Sequence, residues 1–125
     1  MTQKIAQLTW LTTESEGVAT VALTGPAIAA NRLALQECLR EAAGLEARAV
    51  LFDLAGVSAH DRIGAGALAR FAFESRERRT WVKFCAGSTR LRAELRNQGA
   101  RDPGEFAADV PTAFGQVTDS GRIAA

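Results

Sequence analysis

Residues 50–68 do most to restrict what this chain can fold into. They begin with a near-continuous apolar run, Val50-Leu51-Phe52-Asp53-Leu54, pass through a turn carrying Asp61, and meet Gly64 and Gly66 at the start of a helical pattern. An apolar run with no alternation belongs to a strand buried on both faces. The glycines then mark a tight strand-to-helix passage. In α/β proteins the crevice beyond the carboxyl end of a strand is the usual place for ligands and partners.

The rest of the chain can be arranged around that passage. Residues 8–13 and 17–23 read as two strands joined near Glu14-Ser15-Glu16-Gly17, with Val18, Thr20 and Ala22 alternating with Ala19, Val21 and Leu23. Gly25-Pro26 is expected to end the second strand. Residues 31–43 carry a helical stripe of Leu35, Cys38, Leu39 and Ala42, with Gly44 as the stop. Residues 49–54 form the third strand and 64–79 the second helix, whose inward stripe is Leu68, Phe71, Ala72 and Ser75. Residues 81–86 are a fourth strand, and Trp81 is expected to pack in the core or at the sheet end. Ser88 caps a third helix over 89–98, which Gly99 ends. Residues 105–107 suit a short edge strand and 112–117 a last helix. Strands alternating with helices make the fold α/β: a mixed sheet of four to five strands, with about four helices mainly on one face.

At 125 residues this is one domain spanning 1–125, with its core over about 8–118 and a flexible tail over 119–125. Fifteen Lys and Arg against 14 Asp and Glu give no charge excess that would call for nucleic acid. There is no signal segment and no run of bilayer-spanning length, so cytoplasmic location without membrane insertion is the expectation. Cys38 and Cys85 lack metal-ligand spacing and read as small core residues; no metal and no cofactor is expected.

Placed in order, these segments resemble the STAS domain family, known from sulfate transporters and anti-sigma factor antagonists. The run Asp53-Leu54-Ala55-Gly56-Val57-Ser58-Ala59-His60-Asp61-Arg62-Ile63-Gly64-Ala65-Gly66 is similar to the family pattern Asp-Leu-Ser-Gly-Val-x-x-x-Asp-Ser-Ser/Thr-Gly-x-Gly. Leu23-Thr24-Gly25-Pro26 with the helix after it, and Ser88-Thr89-Arg90-Leu91 with Gly99 and Phe106, match other family units. The resemblance implies a non-catalytic interaction module that binds an anti-sigma factor with serine kinase activity. In such relatives a Ser just before the first helical glycine is phosphorylated, and the complex falls apart. A helix N-terminus suits a phosphate, whose added charge then opposes a dry contact. Here Ile63 stands at that position and Arg62 beside it, so the fold carries over and the switch does not. A cytoplasmic STAS subunit of an ABC lipid-transport system is the alternative within the fold. A nucleotide-binding protein is the alternative of another class, with only an incomplete glycine motif, Gly64 and Gly66, behind it.

The partner-binding residues expected are Ser58, His60, Asp61, Arg62, Ile63, Gly64, Gly66, Ala69 and Phe73; no catalytic residue is expected. Asp61 is also a natural helix N-cap. Ser58 is the nearest hydroxyl to the missing acceptor, though ordinary loop is the simpler account of it. His60, the sole histidine, could tune binding near neutral pH or simply be solvated. Gly64 and Gly66 suit close approach of the helix to sheet or partner. Phe73 shares a side of the helix with Arg62, Gly66 and Ala69, forming a shallow apolar patch for a partner or, in a homodimer, a sister subunit. Its alternative is packing against a neighbouring helix or tail. The runs Arg76-Glu77-Arg78-Arg79 and Arg90 to Arg96 interleave with acids and read as solvated helix faces.

Overall fold

The structure, a computed structural model, describes residues 6–124, with side chains described as far as Thr118. Its elements follow in the order β1 (Thr9–Ser15), β2 (Val18–Ala27), a 3-10 turn (Ala29–Asn31), α1 (Arg32–Gly44), β3 (Ala49–His60), α2 (Arg62–Glu77), β4 (Trp81–Cys85), α3 (Thr89–Asn97), β5 (Phe106–Ala107) and α4 (Val110–Ala124). The sheet runs β1-β2-β3-β4-β5, with β1 antiparallel to β2 and every other pair parallel. A parallel connection needs a crossover, and crossovers in one sense stack their helices on one side of the sheet. Accordingly α1, α2 and α3 share one face, while α4 follows the last strand onto the other.

β3 is the centre because its residues bury both ways. Val50, Phe52 and Leu54 meet Leu35, Leu68, Phe71, Ala72, Leu91 and Leu95, while Ala49 and Leu51 meet Ala113 and Val117 of α4. Phe52 stands edge-on to Phe71 at 5.4 Å between ring centroids and stacks on Phe84 at 5.8 Å. Both cysteines lie in these clusters. Burial pushes each thiol up to about 12, helped by Glu41 near Cys38 and by Asp53 near Cys85, so neither is a nucleophile at neutral pH.

Three expectations need correcting. β2 does not stop at Gly25-Pro26 but runs to Ala27, because Pro26 falls at an irregularity in the pairing with β3, where its missing N–H costs no regular ladder bond. Trp81 begins β4 at the sheet end, one of the two places expected, but it is 50% exposed there, its ring 5.9 Å from the Lys83 ammonium, and takes no part in the core. The last helix is α4 over Val110–Ala124, longer than residues 112–117, with the Asp109 carboxylate accepting from Thr112 N at 2.8 Å. It thus continues through most of the segment expected as a tail; Ala125 and the side chains from Asp119 onward lie outside the described residues.

Because Phe52 touches helices and neighbouring strand at once, Phe52→Ala should lower unfolding free energy by about 3–5 kcal/mol in urea titration.

Candidate functional site

The strand expected to end at Leu54 instead continues to His60, and this lengthening builds the site. β4 pairs with β3 only as far as Asp53. Beyond it, β3 runs on beside β2 alone, to the pairs Pro26↔Ala59 and Ala27↔His60. Two register shifts, between Ala22 and Thr24 and between Gly25 and Pro26, insert extra β3 residues here, and bulges of this kind bend a strand and increase its twist. The first insertion is closed by Asp53, whose carboxylate accepts from Ala55 N at 3.0 Å. Gly56 is required at the bend, since a Cβ there would stand 2.6 Å from the Leu23 carbonyl oxygen. Ser58 and His60 therefore sit on a strand, not in a loop: Ser58 exposed, His60 half-buried.

Asp61 is the only residue between β3 and α2. Its backbone is extended, and its carboxylate accepts at 2.8 Å from Gly64 N and at 2.8 Å from Ala29 N. The first bond is the expected N-cap. The second ties the 3-10 turn after β2 to the same carboxylate. Partial burial resists ionisation, but the N–H groups of Ala29, Gly64 and Ile63 and the charge of His60 outweigh it, holding Asp61 below the usual carboxylate range. Gly64 is buried against the end of β2, where a Cβ would collide with the Ala27 carbonyl. Its close approach is to the sheet. Gly66 has no such constraint; a Cβ there would meet only the Gln98 side chain at ordinary distance.

Arg62 and Ile63 open α2 facing solvent, Ile63 being 56% exposed. Arg62 puts a cation at the positive end of the helix, an arrangement that opposes helix stability by about 0.3–1 kcal/mol. Gln98 Nε2 donates to the Arg62 carbonyl at 3.2 Å, which brings the end of α3 alongside.

The stripe Arg62, Gly66, Ala69, Phe73 is not one continuous surface. Ala69 is only 2% exposed and belongs to the main core, so it offers nothing to a partner. Phe73 emerges at the far end, 57% exposed, its ring 5.8 Å from the Arg76 guanidinium and beside Arg101. Helical spacing put these residues on one side of α2; it could not show that Ala69 sinks into the core while Gly66 lies beside Gln98. Arg76 is likewise not a solvated charge. It holds Glu105 through two bonds of 2.8 and 2.6 Å, and its Nη2 also donates to the Gly99 carbonyl at 3.0 Å. Burial works against the Glu105 charge, but Arg76 and the Arg101 N–H prevail and lower its pKa.

The residues brought together are thus Ser58, His60, Asp61, Arg62, Ile63, Gly64 and Gly66 at one corner. Ala69 lies beneath the surface and Phe73 apart. Missed by sequence reasoning was Ala29, whose part is played by a backbone N–H that no residue type announces. Also missed was a groove of about 830 Å³ running from Ile63 between α1 and α2. Among the described residues, no group of three or more His, Cys, Asp or Glu could hold a metal ion, and no helix is long and apolar enough to cross a membrane.

Comparison with known proteins follows the same lines. The family model of the STAS domain matches residues 9–113. An anti-sigma factor antagonist from Mycobacterium paratuberculosis superposes with a TM-score of 0.78 at 20% identity, over 90% of this chain and 95% of that one. The anti-sigma factor antagonist SpoIIAA in its unphosphorylated form gives 0.65 at 11% identity, over 91% and 98%. The murine anion transporter Solute Carrier 26 family member A9 gives 0.66 at 20% identity, over 84% of this chain and 18% of its own. No curated protein sequence matches the chain.

Asp61→Ala should cost about 1–2 kcal/mol of stability, since it removes an N-cap. The pH dependence has a definite sign. Asp61 and Glu105 are both lowered on folding, so what they contribute is complete above about pH 4, where unfolded carboxylates ionise, and is lost as pH falls through their lower folded values. Acid titration followed by circular dichroism should show Asp61→Asn losing less stability than the parent between neutral pH and the acid limit.

Proposed function

The chain belongs to the STAS domain family, and we propose that it works there as a non-catalytic interaction module of the anti-sigma factor antagonist kind. Its partner is an anti-sigma factor with a serine-kinase-like fold, docking on the corner formed by Ser58, His60, Asp61, Arg62, Ile63 and Gly66. The observation that carries this reading is the exposed pair Arg62-Ile63 at the start of α2. An exposed isoleucine gains from being covered, by about 1.5–3 kcal/mol for full burial. An arginine at a helix N-terminus does not help the helix. Neither residue is placed for the stability of this domain, and both suit a partner.

Asp61 and Gly64 hold the corner in shape, and the exposed residues make the contact. Ile63 has no hydroxyl, so the corner is not phosphorylated at the family position and does not release its partner by that route. The domain therefore remains in the binding form, with any control exerted on the partner. The whole chain, in keeping with the architecture of related small antagonists, works as one domain in the cytoplasm.

A second reading, a STAS subunit docked on a lipid-transport ABC system, draws support from one observation: the same fold forms 18% of the length of an anion transporter chain. The two readings differ in partner and share the surface.

Incubation with an anti-sigma kinase and labelled ATP should leave no phosphate on the corner, whereas Ile63→Ser should become labelled. Label on Ser58 in the parent protein would defeat the reading. Arg62→Glu should weaken the complex about tenfold or more in calorimetry while the thermal midpoint of the free domain rises, because an acid suits the positive end of α2 where the arginine does not. Equal affinity for parent and variant would place the interface elsewhere.

A further inference from the structure

The groove between α1 and α2 has a chemistry that the docking corner does not explain. Its floor is apolar: Leu39 and Ala43 from α1, Ala67 and Phe71 from α2. Its rim carries four arginines, Arg40, Arg62, Arg70 and Arg78, against the single acid Glu74. The whole chain has a net charge of only +1, so this is a local concentration of positive charge. Arg70 meets Glu74 at 3.9 Å across exposed surface, a pair worth little. Among the described residues, Arg40, Arg62 and Arg78 have no acid within salt-bridge distance.

We propose that this groove receives an acidic amphipathic helix of a partner protein. Resting on the reading of the chain as an interaction module, this names the chemistry of what it binds. An apolar trough between two helices is the shape into which a third helix lays its apolar face, with anchors spaced at helical intervals. From Arg62 to Arg78 the rim extends along α2 for about 24 Å at 1.5 Å per residue, which matches a partner helix of about four turns. Glutamates flanking that partner's apolar stripe would meet Arg40 on one wall and Arg70 and Arg78 on the other. A basic helix would meet the same arginines as repulsion, so the rim selects partners by sign. Ile63 stands at the mouth of the groove, making trough and corner one continuous surface.

The test uses the full chain with two synthetic four-turn peptides, one of leucine and glutamate and one of leucine and lysine. The acidic peptide should bind, shifting amide resonances of residues 36–43 and 62–78 in heteronuclear NMR. Its affinity should fall with added salt, and by about tenfold or more in the triple variant Arg40→Glu, Arg70→Glu, Arg78→Glu. The basic peptide should bind the triple variant better than the parent. Should that variant fail to fold, Arg70→Gln with Arg78→Gln should show a smaller loss in the same direction. Equal binding of both peptides, unchanged affinity in the variants, or shifts confined to other elements would overturn the proposal. So would arginine-dependent sedimentation of the parent with phosphatidylglycerol vesicles but no peptide binding, which would give the groove to a membrane surface. Failure of the parent protein to bind the acidic peptide while it forms the anti-sigma complex refutes the groove alone; peptide binding by a parent protein that forms no anti-sigma complex refutes the corner alone.

Discussion

The seating of the α2 N-terminus on the end of β2 is the contact on which the rest depends. Asp61 accepts from Gly64 N and Ala29 N with one carboxylate, and Gly64 lies against Ala27 with no room for a side chain. One charged group thus satisfies a helix end and fixes a turn from a distant part of the chain. The geometry is strict because a helix start leaves N–H groups without intrahelical partners, and a carboxylate in that position answers two needs at once.

That seating decides what is displayed. With Gly64 turned inward and Ala65 and Leu68 in the core, the adjoining positions Arg62 and Ile63 must face solvent. The β2–β3 pair carries the same corner past the last residue of β3 that β4 pairs with. Structural and displayed residues alternate within a few positions.

Periodicity made much of this legible. The α2 stripe of Leu68, Phe71, Ala72 and Ser75, the α1 stripe of Leu35, Cys38 and Ala42, and the two-sided burial of residues 49–52 all follow from patterns of 3.6 and 2. The caps at Asp61 and Ser88 were readable because short polar side chains before an apolar stripe have few other uses. Less legible was the course of β3 past Leu54. Ala55 to Ala59 includes small and polar residues without alternation, and the pairing there rests on backbone bonds and bulges that leave little mark on residue type.

By itself, then, the sequence determined the α/β class, the order of elements, the capping aspartate and the absence of a hydroxyl at residue 63, because each depends on residues near one another in the chain. The tertiary structure alone decided that Ala69 is buried in the core while Phe73 and Ile63 stay exposed, and that Arg76 is tied to Glu105. It also decided that arginines from two helices line one groove. Those outcomes depend on how helices pack side by side, which is set by the shapes of the faces that meet and not by the spacing within either one.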